Sequence, residues 1–251
     1  MKKLESISAF FPAYNDAATI SSMVIATLLT LPKVTDDYEV IVVNDGSPDH
    51  TAEMLGELAR LYPQVRVVTH EKNKGYGGAL RSGFAAAAKT WIFYTDGDAQ
   101  YDPRELVRLV AAVSPEIDVV NGFKIERFDP LHRVIIGRLY HHIVRVLFGF
   151  RLRDVDCDYR LIRNKIFETV ELQSTSGTIC LELVKKVQDF GFRFAEVPVH
   201  HYHRAHGKSQ FFNFPRLIKT AKQLTGLWWH LVVKKEHLKR RSIRSDSSRI
   251  S

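Results

Sequence analysis

Trp91-Ile92-Phe93-Tyr94-Thr95-Asp96-Gly97-Asp98-Ala99-Gln100 joins two kinds of sequence at one point. Its first half is aromatic and β-branched without a break, as expected of a strand covered on both faces. Its second half sets two carboxylates at i and i+2 around a glycine, a turn from which both can converge on one hard cation. Alone, such a turn is commonly a solvated loop. Directly after a buried strand it is a candidate metal site, with Asp96 and Asp98 as ligands.

Toward the N-terminus the same strand-then-polar-turn pattern recurs. Ile7 to Phe11 predicts a strand stopped by Pro12, Tyr38 to Val43 a second and Val65 to Thr69 a third. Helices are predicted from about Ala17 to Leu31, with Asp16 as N-cap and Pro32 just beyond its end, then over Thr51 to Leu61 and Ala79 to Ala88. Past Gln100 a helix is expected from about Pro103 to Val113 and a fifth strand at Asp118 to Asn121. Four strand–helix alternations in this span predict an α/β fold, a mostly parallel sheet with helices on both faces. Ligands of such sheets sit at the carboxyl ends of the strands, where the clusters Pro12 to Asp16, Asn44 to Ser47 and Asp96 to Gln100 fall. After about residue 122 the rhythm stops. An amphipathic helix is predicted over 131–148, a short strand over Glu196 to His200 and a second long amphipathic segment over Phe211 to Val233.

The composition bounds the function. The chain has 251 residues, 45% hydrophobic and 25% charged, enough for one medium-sized domain with appendages. Cys157 and Cys180 are too few for a disulfide framework and point to a reducing, cytoplasmic setting. The first residues carry no apolar run of a signal peptide, and no stretch has 18 consecutive apolar residues, so neither export nor a spanning helix is expected. Of the net charge of +8, a large part sits in the last residues, from Lys234 to Arg249. A basic tail set away from the sheet, without a recognition motif, argues against nucleic acid as partner and leaves an anionic membrane surface.

Two other clusters can carry chemistry. Asn44-Asp45-Gly46-Ser47 follows the second strand, where Asp45 could accept hydrogen bonds from a base or ribose, although Asn, Asp and Gly also make plain turns. Gly75-Tyr76-Gly77-Gly78 precedes a helix start that could face an anion, and equally allows a tight connection. It is neither a dinucleotide fingerprint nor a Walker A loop, since it follows the third strand and lacks a GK[ST] ending. His200, His201, His203 and His206 have no cysteine or acidic ligand beside them, so polar loop residues near phosphates are the plainer account than zinc.

In order, Pro12-Ala13-Tyr14-Asn15, Val43 to Ser47, the Asn73 to Gly83 segment and Asp96 to Gln100 resemble glycosyltransferase family 2. The chain is most similar to the branch containing dolichyl-phosphate mannose synthase and the polyprenyl-phosphate glucosyltransferases. The resemblance covers roughly residues 6 to 210 and implies a GT-A (Rossmann-like) fold. It also implies an inverting reaction and a nucleotide-sugar donor, GDP- or UDP-linked, held with Mg2+ or Mn2+. Donor contacts would come from Pro12, Tyr14, Asn15, Asp45, Lys74, Gly75, Asp96 and Gly97. The metal would lie on Asp96, Asp98 and Gln100. Arg153 to Leu161 resembles the branch's acceptor segment, with Asp158 in place of the usual glycine and Asp156 where an amide or small residue is common. Acceptor contacts would come from Asp154, Arg160, Lys208 and Ser209, and catalytic parts from Asp98, Arg204 and Asp156.

If the acceptor is a polyprenyl phosphate (dolichyl- or undecaprenyl-type), its oxygen is already ionised and no base is needed. If it is a hydroxyl, Asp154, Asp156 or Asp158 must serve as base. A nucleotidyltransferase or a silent sugar-nucleotide binder is less consistent with the Pro12–Asn15 turn and the intact acidic pair. The expected organisation is a transferase domain over 1–210, with a nucleotide half to about 122 and an acceptor half over 123–210. An amphipathic membrane-interfacial helix over 211–233 and a basic, unstructured tail over 234–251 would follow, placing the protein peripherally on the cytosolic face of a membrane.

Overall fold

The computed structural model describes residues 2–125, 131–203 and 214–239, with the side chains of 131–139 and 214–217 left aside. Seven strands form one sheet: β1 (Ile7–Ala13), β2 (Tyr38–Asn44), β3 (Val65–Thr69), β4 (Trp91–Thr95), β5 (Val119–Lys124), β6 (Tyr159–Arg163) and β7 (Phe194–Val199). Their spatial order is β3-β2-β1-β4-β6-β5-β7. β1 to β4 are mutually parallel. β6 runs antiparallel between β4 and β5, and β7 pairs parallel with β5. The helices are α1 (Ile20–Thr30), α2 (Thr51–Leu61), α3 (Tyr76–Ala86), α4 (Leu106–Ala111), α5 (Leu131–Phe148), α6 (Ile179–Asp189) and α7 (Phe214–Trp228).

The strands alternate between two cores, as a period of two requires. Ala9, Phe11, Val40, Val42 and Phe93 face one core with α1, α2 and α4. Phe10, Ile41, Val43, Ile92 and Tyr94 face the other with α3 and α6. There Phe84 of α3 meets the Phe10 and Tyr94 rings edge-on at 5.0 and 5.3 Å, contacts worth about 0.5–1.5 kcal/mol each beyond area burial. A third cluster joins α5, α6 and α7 through Val144, Phe148, Leu181 and Val184, with Leu224, Leu227 and Trp228 packed against it. The Trp228 indole donates to the Leu147 carbonyl at 2.9 Å.

Several boundaries differ from the sequence reading. β1 continues through Pro12 to Ala13. Ala13 O accepts the Asp45 amide on the β2 side, so Pro12 faces the β4 side, where pairing has ended at Phe10 and no ladder bond needs its missing N–H. α1 starts at Ile20 rather than Ala17, because the Asp16 carboxylate accepts the Tyr14 amide at 3.0 Å instead of capping the helix. α3 begins three residues early and takes Gly77 and Gly78 into its first turn. β6 and α6 carried no rhythm that announced them. The tail is ordered further than expected: residues 236–239 make a helical turn in which His237 is buried and reaches Asp189 of α6 at 2.8 Å. Both cysteines are free and buried. Among the described residues no helix is long and apolar enough to cross a membrane.

Candidate active site at the carboxyl edge of the sheet

The parallel strands β1, β2 and β4 end side by side, and their polar turns form one rim. After β2, Asn44 closes a turn by accepting the Ser47 amide at 3.0 Å, and Asp45 lies buried beside it. Asp45 is fixed from two directions. Its Oδ1 meets His70 Nδ1 at 2.6 Å and accepts the Lys74 amide at 2.8 Å, while His70 Nε2 meets Ser82 Oγ at 2.8 Å. After β1, Tyr14 is exposed and Asn15 adopts φ 61°, its amide donating to Ser47 Oγ at 3.3 Å.

The turn after β4 is pinned to this rim. Thr19 Oγ1 donates to Gly97 O at 2.7 Å. Asp98 is buried and its Oδ1 accepts the Gln100 amide at 3.0 Å, with Ala99 between them at φ 61°. The Gln100 side chain donates to Tyr202 O at 3.2 Å, and Tyr202 N returns a bond to Gln100 O at 2.8 Å, tying the segment after β7 to this turn. Asp96 accepts the Tyr76 hydroxyl at 2.7 Å. Burial pushes the Asp96 carboxyl well above the ordinary range, and the charges of Asp158 and Asp98 push it further. Three acids crowded in a half-buried place are a donor set that a divalent cation would offset, so the residues fit such an ion.

The start of α3 is held by the segment between β6 and α6. Gly77 N donates to Thr175 O at 3.0 Å, and a Cβ on Gly77 would lie 2.5 Å from Ser174 O; only glycine allows that approach. Gly75, at φ 79°, stands against the same segment. Glu182 of α6 anchors it from below: its buried carboxylate accepts the Gln173 and Ser174 amides at 3.0 and 2.8 Å and pairs with Lys186 at 2.6 Å.

On the far side of β4, Arg160 of β6 is fully buried. Its Nε donates to Asn121 Oδ1 and its Nη2 to Val155 O, both at 2.6 Å, and its Nη1 to the Tyr94 hydroxyl and to Asp158 at 3.2 Å. Every arm of the guanidinium is thus engaged by the protein. Asp158 also accepts the Cys180 thiol at 2.9 Å. Asp154, buried, accepts the Asp156 amide at 3.1 Å, and Lys124 Nζ donates to Asp156 O at 3.3 Å. Burial first, then the charge of Asp154, pushes the Asp156 carboxyl up to about 6. His200 is held by Glu105 at 2.6 Å.

Pro12, Asp45, Lys74, Gly75, Asp96, Gly97, Asp98 and Gln100 therefore meet along one edge, with Asp154, Asp156 and Arg160 in the adjoining segment. Arg204, Lys208, Ser209 and His206 lie outside the described residues. The sequence reading gave no role to His70, Tyr76, Lys124 and Glu182. The aspartate partners of the first three lie 20 or more residues away, whereas Glu182 is tied to Gln173, Ser174 and Lys186 within nine residues.

The sequence matches the Glycosyl transferase family 2 pattern over residues 8–171. It is 30% identical over 212 residues to the undecaprenyl-phosphate 4-deoxy-4-formamido-L-arabinose transferase of Edwardsiella ictaluri, covering 84% of this chain and 64% of that protein. It is 31% identical over 239 residues to the glycosyltransferase AglD of Haloferax volcanii, covering 91% of this chain and 38% of AglD. The chain thus spans less than two thirds of the length of either relative. Its fold is similar to glucosyl-3-phosphoglycerate synthase from Mycobacterium tuberculosis, solved with Mn2+, UDP and glucosyl-3-phosphoglycerate, at a TM-score of 0.68 and 21% identity over 90% of this chain and 79% of that one. The family match, spanning well over half of the chain, shows that the protein belongs to glycosyltransferase family 2.

Proposed function

We propose that this glycosyltransferase moves a sugar from a GDP- or UDP-linked donor to a polyprenyl phosphate, with inversion at the anomeric carbon. The observation that carries the reading is the carboxylate pair Asp96 and Asp98 at the end of β4, on one rim with the buried Asp45–His70 pair. Asp45, held by His70, accepts from the nucleotide, and Pro12, Tyr14, Asn15, Lys74, Gly75 and Gly97 frame the donor. Asp96, Asp98 and Gln100 hold Mg2+ or Mn2+, which when bound supplies Lewis-acid stabilisation of the leaving nucleoside diphosphate. The metal finds support in the donor set and in the Mn2+ and UDP bound to the structurally similar synthase. The lipid acceptor finds support in the undecaprenyl-phosphate substrate named for the relative in Edwardsiella ictaluri.

An ionised phosphate oxygen attacks without a general base, so the chain's task is alignment and charge neutralisation. We assign that to Arg204 and Lys208, with Ser209 beside them, whereas the enclosed Arg160 holds Asp158 in place. One observation favours a second reading, a hydroxyl acceptor: the Asp156 carboxyl, raised to about 6, suits proton acceptance near neutral pH. We divide the chain into a transferase domain over 1–210, an interfacial helix over 211–233 and a basic tail beyond. Peripheral attachment at the cytosolic face of a membrane is supported by exposed Ile143, Val146 and Leu147 on α5 and by exposed Ile218, Trp229 and Val233 on and after α7.

The test is incubation with labelled nucleotide-sugars and polyprenyl phosphate in detergent, counting label extracted into organic solvent. Label that disappears with EDTA and falls at least about 100-fold in Asp98→Ala is expected. Metal-dependent donor binding without lipid label would move the acceptor to a hydroxyl; no donor binding would overturn the proposal.

A further inference from the structure

Among the described residues, one group beyond the β4 turn gathers metal-ligating atoms from separate elements. His141 on α5 and Asp154 and Asp156 ahead of β6 each place a ligand atom within 4.8 Å of the other two. Ligands bound to one tetrahedral ion at about 2.0–2.2 Å stand roughly 3.4 Å apart, so closure needs the side chains to draw together by up to about 1.4 Å. The imidazole comes from a helix and the carboxylates from a segment fixed by its own backbone, which distinguishes the group from a solvated acidic turn. Asp154 is buried and held by the Asp156 amide at 3.1 Å, the outer-sphere support that orients a ligating carboxylate. The Lys124 ammonium donates to the Asp156 backbone carbonyl. Asp156 also departs from the acceptor pattern that the segment resembles, and attack by a phosphate oxygen gives it no part.

We propose that His141, Asp154 and Asp156 form a second divalent-cation site, one that takes a first-row transition ion in preference to Mg2+. An imidazole with two carboxylates suits Zn2+, Co2+ or Mn2+, whereas Mg2+ favours oxygen alone. Three protein ligands leave a coordination position open, as catalytic sites do and structural ones do not. That position would receive an oxygen of an anionic acceptor and reconcile an acidic segment with a negatively charged substrate. This last role rests on the proposed function; the site itself does not.

The test is Co2+ binding to the metal-free full chain, without donor or acceptor, followed by calorimetry and by the visible absorption of an imidazole-coordinated ion. Two Co2+ per chain are expected in the wild type and one in Asp98→Ala, which keeps the visible band. His141→Gln and Asp156→Asn should each lose that band and weaken one of the two binding events at least about tenfold, with far-ultraviolet circular dichroism unchanged. Wild-type stoichiometry and spectrum in both variants, or a wild type whose single ion is removed by Asp98→Ala, would overturn the proposal. Since no sugar transfer is measured, failure here leaves the transferase reading untouched, and failure of transfer leaves this site untouched.

Discussion

At the scale of single residues, the proposed function divides the site into groups that would touch ligand and groups that hold them in place. Asp45 is the clearest case, because its carboxylate is buried and directed by His70. Removing the imidazole takes away a hydrogen bond to a charged group, worth about 1.5–3 kcal/mol. His70→Ala is therefore expected to weaken UDP or GDP binding about tenfold to a hundredfold by calorimetry while leaving the fold in place; unchanged affinity would detach Asp45 from the nucleotide. The Asp96–Asp98 turn was legible in the sequence because both partners lie within three residues of each other after an unbroken apolar run. His70 was not, since its 25-residue separation from Asp45 is closed only by the pairing of β2 with β3. The partners of Arg160 were hidden for the same reason. A cation in an acceptor-like segment reads as a phosphate contact until β6 turns it inward onto Asn121, Tyr94 and Asp158.

At the scale of elements, the junction of α3 with the 173–178 segment governs where Tyr76 meets Asp96. Glu182 holds that segment, and removing one partner of a buried, hydrogen-bonded ion pair costs about 3–5 kcal/mol. Glu182→Ala is expected to lower stability by that order in urea denaturation, and Glu182→Gln by less, since an amide still accepts one backbone bond. A cost near zero would mean that the segment is held otherwise. The end of α6 makes a second test. Burial alone would raise the Asp189 carboxyl, but hydrogen bonds from His237 and Lys185 hold it below its ordinary value of 3.8. A lowered folded-state value stabilises above the unfolded value and loses that contribution as the pH falls through the folded one. Asp189→Asn should thus be less stable than wild type at neutral pH, the gap closing below about pH 3.8; a gap independent of pH would refute the pairing. β6, α6 and the turn at 236–239 escaped the sequence reading because what holds each in place lies elsewhere in the chain: β6 sits between β4 and β5, α6 against the sheet, and His237 against Asp189. α6 is covered by the sheet on one side and by α5 and α7 on the other.

At the scale of the whole molecule, the first 122 residues were readable because each parallel strand is followed by a helix, a rhythm that shows in the sequence even though the sheet orders the strands β3-β2-β1-β4. Beyond residue 122 the sequence showed α5 and β7 but not β6 and α6, nor that β6 inserts antiparallel between β4 and β5, an order that no periodicity encodes. The amphipathic stripe of α7 also divides: Leu224, Leu227 and Trp228 pack on α5 and α6, and Ile218 faces outward. The membrane attachment proposed above would then depend on Ile143, Val146, Leu147, Ile218 and the flanking cations together. Val146→Asp is expected to reduce sedimentation with anionic vesicles at least about tenfold and added salt to weaken it further; binding unaffected by either would free these surfaces for another partner. The placement of β6 has a consequence during synthesis as well. β4 is complete at Thr95, but the strand that covers its outer edge begins only at Tyr159. At about 5–20 residues per second, the ribosome needs some 3–13 seconds to deliver the covering strand. Through that interval the nascent chain presents an aromatic, uncharged edge to its neighbours on the polysome, so this enzyme's yield in the cell should depend on the speed of translation across residues 96–163 and on the chaperones waiting at the exit tunnel.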